Sequence, residues 1–210
     1  MNDWLLPLFP LNAVLFPRTD LPLHIFEERY KQMIAECLSV NTEFGVVLAQ
    51  ENAVEQVGCT ASVKEVVKRY DDGRLDIVVR GSRRFEVVLL NQDMPCLRGA
   101  PQFFDDDQDA VPPEIDSCRQ ALDLYGKIND LLDLKEPEAD LSSIDPADAQ
   151  LSFQIMARLP VDHRFKQSLL VSRSESERIS QVVPFLEQLV VQVSLAMRVR
   201  SSASGNGKGR

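Results

Sequence analysis

The sequence predicts an α+β protein: a β-rich N-terminal lobe that includes one helix, followed by a C-terminal helical bundle. Three observations carry this expectation. Four prolines break up the first 22 residues, apolar residues alternate as far as about residue 104, and the apolar spacing changes to three and four after Pro113. With 210 residues, 44% of them hydrophobic, the chain can build a core in one large domain or two small ones. The expected division is a β-rich lobe over 1–104, an acidic, proline-containing linker or loop over 105–113, a helical lobe over 114–200 and a disordered tail over 201–210.

The elements follow in order. Pro7, Pro10, Pro17 and Pro22 each remove a backbone donor and restrain the residue before them, so the opening LFPLNAVLFP stretch reads as short strands with bends, some at sheet edges. Phe26, Tyr30, Met33, Ile34, Cys37 and Leu38 then recur at helical spacing, with Glu27 and Lys31 placed for an i,i+4 ion pair. Glu43–Gln50 and Val57–Lys68 are extended runs, and Asp71-Asp72-Gly73 marks a hairpin turn. Beyond it, Leu75, Ile77 and Val79 alternate with polar residues, and Phe85, Val87 and Leu89 repeat the pattern. These read as two strands joined tightly at Gly81.

The acidic segment from Phe104 to Pro113 repels itself and resists packing, so it reads as a boundary or exposed loop. Ile115, Cys118, Ala121, Leu122, Tyr125, Ile128, Leu131 and Leu132 form a long helical stripe. Asp145-Pro146 reads as the cap and first residue of a helix carrying Leu151, Ile155, Met156 and Leu159. Ser174-Glu175-Ser176-Glu177 reads as a capping box opening a last helix toward Arg200, kinked at Pro184, with Arg198 and Arg200 as dipole partners.

A net charge of -9 gives no general attraction to phosphate backbones or anionic lipid, which disfavours nucleic acid and membrane surfaces as partners. No apolar run approaches ~18 uninterrupted residues and the N-terminus lacks the pattern of a signal peptide, which predicts a cytoplasmic protein. Cys37, Cys59, Cys96 and Cys118 lack metal or disulfide spacing and read as reduced, partly buried residues, while His163 after Asp162 reads as a surface residue at a helix start. Neither a Walker motif, a Gly-x-Ser-x-Gly elbow, a His-Glu-x-x-His helix nor a Rossmann glycine run is present, so no catalytic residue, metal site or cofactor is expected. Arg80, Arg83 and Arg84 around Gly81 form a basic cluster that could meet phosphates, or be paired within this acidic chain.

Several segments occur together in register: Leu6-Pro7-Leu8-Phe9-Pro10-Leu11, Leu15-Phe16-Pro17, Leu21 to Glu27 with Arg29-Tyr30, Gly58 to Ala61, Asp72 to Leu75, and Gly81 to Phe85. With Lys166 to Leu170 and Arg178 further on, they closely resemble the N-terminal, substrate-binding domain of the ATP-dependent Lon protease. The resemblance implies a PUA-like pseudobarrel followed by a helical bundle, in a stand-alone domain without Lon's ATPase module or serine-lysine dyad. It implies a non-catalytic module that binds unfolded or extended polypeptide, as an adaptor in protein quality control, with a partner protease or ATPase. The alternatives are a nucleic-acid-binding PUA-like protein, or a peptidase in name only. Candidate peptide-binding residues are Phe16, Phe26, Tyr30 and Arg84, against an alternative in which the aromatics are core and Arg84 is a structural ion pair.

Overall fold

The computed structural model describes residues 5–51, 53–93, 95–133 and 144–205. Six strands precede four of the five helices: β1 Leu6–Leu11, β2 Asp20–Ile25, α1 Glu28–Val40, β3 Phe44–Ala49, β4 Val54–Arg69, β5 Leu75–Asn91, β6 Arg98–Phe103, then α2 Ile115–Leu132, α3 Leu151–Ala157, α4 His163–Val171 and α5 Glu175–Gly205. The protein is of mixed α+β type, and no strand follows Phe103 among the described residues.

The strands run in the order β2-β5-β4-β3-β1-β6, and a further pairing of β5 with β6 closes β5, β4, β3, β1 and β6 into a ring. Long β5 makes the closure. Its first half lies between β2 and β4, and its second half pairs Phe85 through Asn91 with β6. Among the described residues β2 pairs with β5 alone and remains an edge, where Pro22 is tolerated.

β1 is not the edge its prolines suggest, since it pairs with β3 and with β6. Backbone N–H groups alternate sides along a strand. The Leu8 N–H donates to the Leu97 carbonyl at 2.8 Å on the β6 side, so Pro10 faces that same side beyond the last β1–β6 pair. Pro7 faces β3 one residue before that pairing begins. Both missing donors fall where no partner waits.

Gly81 does not connect two strands; it is a bend inside one strand of 17 residues. It exchanges hydrogen bonds with the loop after β1: Arg18 N–H to Gly81 O at 2.8 Å and Gly81 N–H to Thr19 O at 2.9 Å. A Cβ there would sit 2.1 Å from the Phe16 carbonyl oxygen, which only glycine avoids. The Asp71-Asp72-Gly73 turn forms as the sequence predicts, with Gly73 at φ +82° and its N–H bonded to Tyr70 O.

The core of the strand-bearing unit lines both sides of β1. Phe9 joins Tyr30, Met33, Ile34, Phe44, Cys59 and Ile77 on one face, while Leu8 meets Val47 and Phe85 on the other. On α1, Lys31 pairs with Glu28 at 2.9 Å, not with Glu27, which is taken by Arg29 at 2.8 Å.

The chain divides into two compact units: Met1–Asp106 with Met156–Ser172, and Asp107–Ile155 with Arg173–Arg210. The break at Asp106 falls in the predicted acidic segment, but residues 156–172 group with the strands instead of forming part of a continuous helical lobe over 114–200. Gln167 of α4 anchors this return, donating from Nε2 to the Val57 carbonyl of β4 at 2.9 Å.

In the second unit α5 packs along α2, with Ile179, Val182 and Leu186 buried. Glu175 and Arg178 are buried together, 2.7 Å apart, with Ser152 donating to Glu175. The helix predicted at Asp145-Pro146 starts at Leu151, because Asp145 and Asp148 each close a side-chain turn onto the backbone two residues on, at 2.8 Å. Ser174 Oγ accepts from the Glu177 N–H at 3.3 Å, as a capping residue should.

α5 continues to Gly205, so residues 201–205 are helical where a disordered tail is expected; the remainder, 206–210, lies outside the described residues. Nothing between Arg200 and Gly205 breaks a helix, and Arg198 and Arg200 therefore fall short of its last turn. Glu175–Val199 is long and apolar enough to cross a membrane by length and composition alone, although no single uninterrupted apolar run shows it.

Candidate functional site

The structure separates the four residues singled out from the sequence. Phe16 is fully buried in the loop stitched to Gly81, its carbonyl accepting from Thr19 Oγ1 at 2.8 Å. Tyr30 is buried with its ring 4.2 Å from that of Phe9, and burial pushes its hydroxyl pKa up. Arg84 is 5% exposed; it donates to the carbonyls of Leu170 at 3.2 Å and Ser172 at 2.5 Å, and pairs with Asp106 at 2.5 Å. These three are structural groups. A polypeptide cannot reach side chains already covered by their own fold.

Phe26 differs, being 61% exposed at the end of β2, its ring stacked 5.9 Å from His24. His24 Nδ1 lies 2.6 Å from Asp76 Oδ1, and Tyr70 donates to Asp76 Oδ2 at 2.7 Å; the His24 hydrogen bond, then that of Tyr70, holds the Asp76 carboxyl below its usual range.

The basic cluster is spoken for. Arg80 reaches Asp20 at 3.3 Å, Arg83 stacks 4.3 Å over Phe103, and Arg84 is buried as above. The cysteines are all free thiols, and burial raises Cys59 to about 12, where a thiolate is out of reach.

A groove of about 1170 Å³ lies in the strand-bearing unit, between the β3–β4 turn and the start of α4. The wall from β3 is apolar, with Leu48 and Ala49, while Glu51 and Glu55 stand on the turn side and Val161, Asp162, His163, Arg164 and Gln167 on the other. Asp162 caps α4, its carboxylate accepting from the Arg164 N–H at 2.6 Å. His163 and Gln167 are one turn apart and share the helix face toward the groove.

Gln167 is 6% exposed and its Oε1 has no hydrogen-bond partner among the described residues; the buried Nδ1 of His163 is likewise unpartnered among them. The lining contains no Ser, Thr, Cys, Tyr or Lys; its ionisable side chains are Glu51, Glu55, Asp162, His163 and Arg164, and it can hold a ligand by shape and hydrogen bonding. Among the described residues no three His, Cys, Asp or Glu side chains gather to hold a metal ion. Sequence reasoning missed this groove because its walls come from residues 12–55 and 161–167, which periodicity alone does not bring together. The one local signal was Asp162 ahead of His163, a cap followed by side chains spaced by four.

Comparison with known proteins gives this architecture a family. Residues 5–188 match the ATP-dependent protease La (LON) substrate-binding domain. The Lon protease of Nitratidesulfovibrio vulgaris is 28% identical over 93% of this chain, and the Lon protease of Escherichia coli strain K12 is 22% identical over the same share. Each alignment takes in only 26% of the relative, so the chain spans about a quarter of the length of these proteins. A Lon N-terminal domain protein from Xanthomonas campestris superposes with a TM-score of 0.63 at 25% identity, over 86% of this chain and 97% of that one. The N-terminal domain of Mycobacterium avium complex Lon protease shares the fold, at a TM-score of 0.67 and 14% identity, over 87% and 98% of the two chains. The chain belongs to the Lon substrate-binding domain family.

Proposed function

We propose that this chain is a non-catalytic polypeptide-binding module that recognises unfolded or extended protein segments, as an adaptor in protein quality control working with a partner protease or ATPase in the cytoplasm. The observation that carries the reading is the family match over residues 5–188, on a fold whose large groove offers hydrogen-bonding groups. The closed ring of strand pairings supports describing the first unit as a PUA-like pseudobarrel, and the packing of α5 along α2 supports a helical bundle in the second. Exposed Phe26 beside edge strand β2 adds an apolar contact and free backbone groups of the kind extended peptides use. The nucleic-acid alternative loses support, because all three clustered arginines are engaged within the protein.

The test is a fluorescence titration of labelled, reduced and carboxymethylated unfolded protein with this chain. Saturable binding, with no binding of the same protein in its native form, is the expected result. Absence of binding up to about 1 mM, the weakest affinity of interest, overturns the proposal.

A further inference from the structure

We propose that the groove beside α4 holds the basic side chain, lysine or arginine, of an extended polypeptide segment, with Gln167 Oε1 as an acceptor for its N–H groups. The inference rests on the polypeptide-binding reading and gives it a site and a preference.

Gln167 is the starting point. Its Nε2 donates to the Val57 carbonyl at 2.9 Å, and a carbonyl can only accept, so the orientation of the amide is settled and Oε1 is the atom left over. That oxygen belongs to a side chain that is only 6% exposed and lines the groove, and it finds no donor among the described residues. A buried acceptor without a partner bears an uncompensated desolvation cost, which a ligand's N–H recovers on binding. His163 Nδ1, one turn earlier on the same helix face, is likewise buried without a partner among the described residues, and accepts when the ring carries its proton on Nε2.

Charge selects among donors. Glu51, Glu55 and Asp162 line the groove against a single basic residue, Arg164. Glu55 accepts from Gln50 and Asp162 from the backbone of α4, so both carboxylates are held in place at the rim. An acidic rim around buried acceptors suits a cationic donor and repels an acidic one. A neutral amide segment meets the acceptors but not the charge, and an acidic segment meets neither.

The experiment uses the full chain and three labelled ten-residue peptides of Gly, Ser and Ala, acetylated and amidated, carrying two central lysines, alanines or glutamates. Fluorescence polarisation should rank them lysine, alanine, glutamate, with the first and last separated by roughly tenfold or more. The double substitution Glu51→Gln/Glu55→Gln changes two rim residues outside the core. It should weaken the lysine peptide by about fivefold and leave the alanine peptide unchanged. Gln167→Met should weaken both peptides; if it fails to fold, the rim variant decides alone.

Equal affinities for the lysine and glutamate peptides overturn the inference. So does a rim variant that binds the lysine peptide as wild type does, or no saturable binding of that peptide. If wild type and rim variant nevertheless bind the labelled unfolded protein alike, only the site and its preference fall. If wild type binds no unfolded protein, the functional proposal falls with them.

Discussion

At the scale of single residues, the buried charges separate function from architecture. Arg84 satisfies two carbonyls and one carboxylate from an interior position, so Arg84→Ala leaves Leu170, Ser172 and Asp106 without their donor. We expect it to lower stability by about 3 kcal/mol in urea titration, while the folded fraction binds unfolded polypeptide with unchanged affinity. Lys166 offers the opposite case. It is 8% exposed, no ion pair or hydrogen bond engages its ammonium among the described residues, and burial lowers its pKa below the ordinary lysine value. Between its lowered folded pKa and the ordinary value the unfolded chain binds more protons, so this lysine's burial penalty is full below that window and disappears as pH rises through it. Lys166→Met should therefore stabilise by about 0.5–1 kcal/mol at pH 7. Denaturation of both proteins across pH should show that advantage shrinking toward the ordinary lysine pKa; an advantage that grows with pH refutes the assignment.

At the scale of elements, the long strand β5 organises the first unit, and Gly81 is the point on which it turns. Gly81→Ala drives a Cβ onto the Phe16 carbonyl, a backbone group that cannot move aside, and strains the two hydrogen bonds to Arg18 and Thr19. The expected loss is about 2 kcal/mol or more, read from the shift in the urea midpoint. Gly73→Ala provides the comparison. Its turn has φ +82° but open space, the nearest atom to a new Cβ being Lys31 Nζ at 3.6 Å, so only the conformational cost of about 1 kcal/mol applies. A larger loss at Gly73 than at Gly81 would contradict the stitched-loop account of LFPLNAVLFP. The same stitch explains why Phe16 is core: Arg18 and Thr19, just after it, bond to Gly81 and bring the Phe16 carbonyl against that glycine.

At the scale of the whole chain, a net charge of -9 and the internal pairing of the arginine cluster predict no saturable binding of single-stranded RNA at about 0.15 M salt, measured by polarisation. Purified chain should neither hydrolyse ATP nor cleave casein, since neither a phosphate loop nor a nucleophile-base pair is legible in the sequence. Casein cleavage that follows this polypeptide through successive purification steps would overturn that expectation.

Much of the architecture is written locally. Proline placement, alternation and three-to-four spacing each depend on neighbours within a turn or a strand, so β1 to β4, α1, the Gly73 hairpin and the stripe of α2 are legible in the amino-acid order alone, whereas β6 has no such reading. Spacing tells which face of an element is apolar, but not what covers it. The burial of Phe16, Tyr30 and Arg84, and the exposure of Phe26, were decided by partners such as Phe9, Gly81 and Asp106 that pack against them in the fold. The single long β5, read locally as two strands, depends on pairing with β4 along nearly its whole length, and the ring on its meeting β6. The return of residues 156–172 to the strand-bearing unit, and with it the groove, required Gln167 to meet Val57 across 110 residues. Contacts at that separation carry no periodic signature, because they are selected by complementary surfaces and hydrogen-bond partners that exist only once the chain has folded.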